Sequence, residues 1–162
     1  MSNSTDNNVV YLKEYMQTGC KTGNNNFQKN VKFRDQHKRI LLVDDDDSIL
    51  ELLSFYFNRT EYIARTSKNG AEALKLFTLE YFDLVITDLR MPGINGCELG
   101  LNIKNMAPNV PVILMTGSKD ENSLINTSIQ KGYIDSVIFK PFAIRCLSDM
   151  ISTFLHAKAE EK

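Results

Sequence analysis

A chain of 162 residues with a net charge of −1, 43% hydrophobic and 24% charged, has the make-up of a soluble globular protein with one sizeable core. Nothing in that balance points to nucleic acid, no apolar run reaches the length of a membrane span, and the polar N-terminus lacks a signal-peptide core. Cys20, Cys97 and Cys146 are odd in number and widely spaced, with no CxxC pair, which argues against a disulfide framework or a zinc site and for free thiols in the cytoplasm.

Residues 1–37 stand apart. They hold seven asparagines and few aliphatic residues, and residues 1–39 carry seven Lys or Arg against three Asp or Glu. This is the composition of a disordered, mildly basic tail. Val9, Leu12 and Met16 could line one side of a short helix, but so short a segment is marginal alone.

From Arg39 the pattern alternates. Ile40–Val43 reads as a strand and Ser48–Asn58 as a helix, with Ile49, Leu52, Leu53 and Tyr56 at helical spacing. Tyr62–Thr66 is a strand, and Asn69–Leu79 a helix carrying Ala73, Leu74, Leu76 and Phe77. Asp83–Thr87 is the third strand; Gly96–Met106, with Leu99 and Ile103, is the third helix, closed by Ala107-Pro108. Val110–Met115 is a strand, followed by a helix over Asn122–Lys131 that ends at Gly132. Ser136–Phe139 is the last strand and Ile144–Leu155 the last helix, with Ile144, Leu147, Ile151 and Phe154 on one face. Cys97 and Cys146 fall on helices and are expected to pack there, while His37 and His156 are expected at the surface. Alternating strands and helices specify an α/β fold, a doubly wound parallel sheet with helices on both faces.

In such sheets the functional crevice lies beyond the carboxyl ends of the strands. Asp44, Asp45, Asp46 and Asp47 follow the first strand and Asp88 the third. Thr116, Gly117 and Ser118 follow the fourth, and Lys140-Pro141 the fifth, where the proline marks a fixed turn that can hold a cis bond. Singly, each has an ordinary explanation: a solvated acidic loop, an exit-loop aspartate, a strand threonine, a surface lysine. Together they deliver carboxylates, a hydroxyl and an ammonium to one rim. Mg²⁺ takes hard oxygen ligands of this kind. An ionised carboxylate can attack phosphorus without a general base, and a metal, Lys140 and the Thr116 hydroxyl would stabilise the equatorial oxygens.

The stretches ILLVDDDDSIL, DLVITDLRMPGINGCEL, VPVILMTG and FKPF, in that order, resemble the receiver domain of two-component response regulators, the CheY-like family. The resemblance covers residues 39 to about 157 and implies a flavodoxin-like sheet of order 2-1-3-4-5. That order is borrowed from the family, which is itself the standard example of it. The receiver domain would span residues 38–157, leaving 158–162 as a charged end.

By resemblance Asp88 is the phosphoacceptor, and Asp44 and Asp45 form the acidic Mg²⁺ pocket, completed by Asp88 and the main-chain carbonyl of Arg90. Thr116 is the switch hydroxyl and Lys140 the phosphoryl-contacting lysine. Asp46 is placed as N-cap and Asp47 in the first helical turn, where free N–H groups and the helix dipole stabilise anions.

The implied function is a stand-alone regulator that takes a phosphoryl group from a sensor histidine kinase or histidine phosphotransfer protein. It would act on a downstream protein target, with no DNA-binding domain and no membrane association. It would not be an enzyme beyond its own phosphorylation and dephosphorylation. Two departures concern output: Val137 stands where relatives carry an aromatic ring that moves inward with the threonine, and Gly132 to Lys140 is one residue longer than usual. A dehalogenase-like phosphatase would carry a further Asp where Arg90 stands. A receiver-like module working without phosphorylation would lack one of the site residues. A nucleotide or flavin binder would show a Gly-rich loop after the first strand.

Overall fold

The computed structural model describes residues 37–117 and 122–156. The tail assigned to residues 1–37 lies outside them except for His37, as do Ser118 and residues 158–162. The elements run β1 Lys38–Val43, α1 Asp47–Phe57, β2 Tyr62–Ser67, α2 Gly70–Leu79, β3 Leu84–Asp88, α3 Gly96–Met106, β4 Val112–Thr116, α4 Asn122–Gln130, β5 Ser136–Phe139 and α5 Ile144–His156. The strands form one parallel sheet in the order β2-β1-β3-β4-β5, as the resemblance implied.

Each face of the sheet buries its own cluster because successive residues of a strand point to opposite sides. Leu41, Val43, Val85, Val112 and Leu114 meet Ala73 of α2, Leu99 and Ile103 of α3 and Ile125 of α4. Ile40, Leu42, Leu84, Ile86, Ile113, Met115 and Ile138 meet Leu50, Leu53 and Phe57 of α1 and Leu147 and Ile151 of α5. Both faces are covered, which explains why the strands read as nearly continuous apolar runs.

Caps fix where the helices begin. The Asp46 carboxylate accepts from Ser48 N–H at 2.8 Å and opens α1, with Asp47 in its first turn. Asn69 accepts from Glu72 N–H at α2, and at α3 Asn95 and Glu98 form a reciprocal capping box. Strand limits follow backbone chemistry in the same way. β4 starts at Val112 and not at Val110, because Pro111 has no N–H to give a ladder. Asp83 stays outside β3, its carboxylate accepting from Arg39 N–H at 2.9 Å and the Lys38 ammonium at 3.2 Å.

On α1 the buried residues are Leu50, Leu53 and Phe57, while Leu52 is 51% exposed. One packing expectation is corrected: Cys146 is exposed, because Leu147 and Ile151 carry the inward face of α5; Cys97 is buried as expected. His37 and His156 are exposed at the surface, both against Glu61: His37 Nδ1 lies 3.1 Å from its carbonyl oxygen and His156 Nε2 lies 3.4 Å from its carboxylate.

Candidate functional site

Strand register brings the site together. The ends of β1 and β3 lie side by side through the pair Val43–Thr87, and those of β3 and β4 through Asp88–Met115. Thr116 pairs with Phe139 where β4 meets β5. Asp44 follows β1 directly and keeps its main chain in line by donating to Ser67 O at 3.2 Å. Asp88 closes β3, and Leu89 N–H donates to Met115 O at 2.9 Å, so the β3 exit stays pinned to β4.

The ammonium of Lys140 sits between the two carboxylates, 2.7 Å from Asp44 Oδ2 and 2.6 Å from Asp88 Oδ1. The other oxygen of each is held locally: Asp44 Oδ1 accepts from Asp46 N–H at 2.9 Å and Asp88 Oδ2 from Arg90 N–H at 2.6 Å. Asp44 is 1% exposed and Asp88 7%. Lys140 is tied back to the sheet by its own N–H, which donates to Thr116 O at 2.7 Å, and the Lys140–Pro141 peptide is cis.

Burial is the leading cause that pushes the Asp88 carboxyl above its ordinary range. Lys140 and Arg90 N–H pull the other way, and the Asp44 carboxylate adds to the rise. For Lys140, burial works to lower the ammonium's pKa, but its bonds to Asp44 and Asp88 together outweigh this and the net shift is upward. The result is a basic carboxylate oxygen held close to a firmly charged ammonium.

The expected site residues divide accordingly. Asp44, Asp88 and Lys140 come into direct contact, and Thr116, 1% exposed, joins them through the main chain of Lys140. Asp45 is exposed beside them, and the Arg90 main chain enters as a donor to Asp88. Among the described residues no three His, Cys, Asp or Glu side chains gather in metal-holding geometry, so the ammonium is what joins the carboxylates here. Val137 is partly buried, packed on the α2–α3–α4 side of the sheet.

Sequence reasoning missed Gly96. A Cβ there would run into the carbonyl oxygen of Asp88 and lie 2.6 Å from Leu114 Cδ1, so only glycine lets α3 start this close to the C-terminal end of β3. The local signal, a glycine just after the capping Asn95, was visible; the tertiary approach was not. A cleft of about 370 Å³ opens beside this loop, lined by Leu89, Arg90, Met91, Pro92, Asn95 and Leu124.

The model of the response regulator receiver domain matches residues 40–152. The chain belongs to that family. Receiver domains are phosphoacceptor signalling domains of two-component phosphorelay systems, and this chain is one of them. It is 34% identical to sporulation initiation phosphotransferase F of Bacillus subtilis over 123 residues, covering 76% of this chain and 98% of that one. It is 28% identical to the autoinducer 1 sensor kinase/phosphatase LuxN of Vibrio campbellii over 127 residues, 78% of this chain but 15% of that far longer protein.

Among solved structures, the receiver from Methanospirillum hungatei superposes with a TM-score of 0.71 at 29% identity, covering 78% of this chain and 99% of that one. The response regulator TrrA of Thermotoga maritima, in complex with Mg²⁺–BeF, does so with a TM-score of 0.66 at 36% identity, covering 73% and 99%. No helix among the described residues is long and apolar enough to cross a membrane.

Proposed function

We propose that this receiver accepts a phosphoryl group on Asp88 from the phosphohistidine of a sensor histidine kinase or a histidine phosphotransfer protein. The observation that carries the reading is the Lys140 ammonium bridging Asp44 and Asp88 at the C-terminal rim of the sheet. An Asp88 oxygen forms the new O–P bond while the P–N bond breaks and its electron pair returns to the imidazole. No general base is needed, since the nucleophile is already an anion. In this reading Lys140 would follow the developing charge on the phosphoryl oxygens, and the Thr116 hydroxyl would donate to them. The raised pKa of Asp88 makes its oxygen more basic than an exposed carboxylate, which favours attack once the ion pair keeps it ionised.

The donor set suits Mg²⁺: two carboxylates converge from different strands, and further oxygen donors adjoin them on Asp45 and the Arg90 carbonyl. Asp44, Asp45, Asp88 and Arg90 would hold the ion, which would neutralise charge between the acceptor and the transferred group. That the similar TrrA was solved with Mg²⁺–BeF supports this reading. The domain is proposed to span residues 38–157, with 1–37 and 158–162 outside it. Output is proposed to pass to a protein partner through α4, β5 and α5, in the cytoplasm.

Incubation with a small phosphodonor and Mg²⁺, followed by intact mass, tests the assignment. A gain of one phosphoryl group that disappears with chelator and in Asp88→Asn is expected. Equal labelling of that variant would remove Asp88 from its role. No labelling of the parent chain under any donor would favour an interaction module working without phosphorylation.

A further inference from the structure

The proposed Mg²⁺ donors sit on two separate loops: Asp44 and Asp45 follow β1, and Arg90 follows β3. One link between those loops runs through the start of α2. Asp44 N–H donates to Ser67 O at 3.2 Å, and Ser67 is only 2% exposed. Its hydroxyl donates to Asn69 O at 2.9 Å. Glu72 closes the turn a second time: its carboxylate accepts from Lys68 N–H at 3.1 Å, and its own N–H donates to the Asn69 side chain at 2.9 Å. Ser67 to Glu72 is thus one braced unit, hung from the β1 exit.

Gly70 is the first residue of α2 and is buried. It is seated against Ile94, in the loop that leads from Asp88 to α3. A Cβ at Gly70 would lie 2.7 Å from Ile94 O, 2.8 Å from its Cβ and 2.9 Å from its Cγ2. The first is main chain and the second is fixed to it, so no rotamer change relieves the overlap. Either the loop or the helix start has to move. Ile94 is also packed on the core cluster of that face, which makes the contact a firm one.

We infer that Gly70 is a positioning residue for the metal. The start of α2, braced to the β1 exit and seated on Ile94, sets the spacing between the Asp44–Asp45 side of the site and the Arg90 side. Mg²⁺ demands near-ideal octahedral geometry with short oxygen contacts, so donors on two loops serve it only when the span between them is fixed. Glycine at position 70 lets the loops come this close, and a larger residue wedges them apart. Gly96 acts differently. A Cβ there strikes the Asp88 main chain itself, whereas the three atoms nearest a Cβ at Gly70 all belong to Ile94. The inference rests on the Mg²⁺ site proposed above and deepens it by naming what holds its two halves together.

Calorimetric titration of the full chain with Mg²⁺, without a phosphodonor, tests it. Gly70→Ala is expected to raise the Mg²⁺ Kd about tenfold, the scale on which outer partners of metal ligands act. At saturating Mg²⁺ its rate of labelling by a small phosphodonor is expected to return close to the parental one, a split that lost stability alone does not give. Asp135→Ala is the control. It loosens the opposite end of the sheet, where the Asp135 carboxylate accepts from Val112 N–H at 2.7 Å, and is expected to keep the parental Kd. A parental Kd in folded Gly70→Ala, an equal rise in Asp135→Ala, or slow labelling of Gly70→Ala at saturating Mg²⁺ overturns the inference and leaves the Mg²⁺ site standing. If Gly70→Ala does not fold, Ser67→Ala decides, since it cuts the same brace without adding an atom. A Kd raised about threefold, as for one lost hydrogen bond, is then expected, and an unchanged Kd overturns the inference. A parent chain that binds no Mg²⁺ removes the proposed site and this inference together, and the parental titration alone identifies that case.

Discussion

The ammonium of Lys140 lies 2.6 Å from Asp88 Oδ1, although 52 residues separate the two in the chain. The contact closes the sheet from its edge strand to its centre, and the same ammonium reaches Asp44 at 2.7 Å. The net effect at Asp88 is nevertheless upward, because burial outweighs the attraction. Under the proposed role of Asp88, function and stability are opposed at this carboxylate: a well-solvated aspartate would cost the fold less but would be a poorer nucleophile.

That opposition has a pH signature. In acid, Asp88 is protonated in the folded and unfolded chains alike, and its contribution to stability is complete. As pH rises through the ordinary carboxylate range the unfolded chain ionises first, and stability is lost until pH passes the raised folded value. Lys140 does not move in this window, since its contribution is present below the ordinary lysine value and is lost only as pH climbs through its own raised value. Asp88→Asn is accordingly expected to be more stable than the parent at neutral pH and to lose that advantage in acid. Urea titrations at both pH values check it; a variant that is less stable at neutral pH would show that the ion pair, not burial, dominates.

The four consecutive aspartates are expected to separate by role. Asp46→Ala removes the acceptor of Ser48 N–H and should cost about 1 kcal/mol. Asp47→Ala should cost roughly 0.5–1 kcal/mol through the helix dipole, its exposed pair with Lys68 adding little. Both variants should label at Asp88 as the parent does. Asp45→Ala should leave stability nearly unchanged and weaken Mg²⁺ binding. Calorimetric titration with Mg²⁺ beside urea unfolding separates the classes, and equal loss of Mg²⁺ in Asp45→Ala and Asp47→Ala would refute the division.

Much of this is legible in the amino-acid sequence. Strand-end residues were readable because the sheet is parallel, so all its carboxyl ends meet at one rim and Asp44, Asp88, Thr116 and Lys140 needed only to be placed on strands. The N-cap at Asp46 was readable because capping is local. What escaped depended on distance. Leu52 and Leu53 are equally apolar, and only the seating of α1 decides which is buried. The exposure of Phe139 goes with its place on β5, which has no further strand beyond it among the described residues. The approach of Gly96 to Asp88 depends on how α3 leaves the rim.

Asp135 illustrates a tertiary staple that no motif announced. Its Oδ2 accepts from Val112 N–H at 2.7 Å and pairs with the Lys104 ammonium at 2.7 Å, and Lys104 is only 12% exposed. It fixes the start of β4 to the end of α3 and the loop before β5. Asp135→Ala removes the acceptor of a part-buried N–H and the carboxylate partner of Lys104, whose ammonium keeps the Pro108 carbonyl at 3.4 Å, and is expected to cost about 2 kcal/mol. Lys104→Met keeps the apolar stem and leaves Asp135 its main-chain donor, so it should cost about 1 kcal/mol or less. Equal costs for the two would mean that the ion pair, and not the bond to Val112, carries the staple.

Gly96 and Gly93 offer a contrast between two reasons for glycine. Gly93 has φ of 79° with nothing within 4 Å of a Cβ, so Gly93→Ala meets backbone strain alone and should cost about 1 kcal/mol. Gly96 has no such φ; its added methyl would strike the Asp88 carbonyl oxygen and Leu114 Cδ1, so α3 must move away from β3. Overpacking of this kind costs about 1–3 kcal/mol. It also displaces the main chain that carries the acceptor, and small misplacements of reacting groups slow transfer by up to about a hundredfold. Gly96→Ala is therefore expected to label at Asp88 about tenfold or more slowly than the parent, whereas Gly93→Ala labels at nearly the parental rate. Rates from intact mass under one phosphodonor concentration decide it: a Gly96→Ala chain that is destabilised yet labels as fast as the parent would show that the close approach serves packing alone.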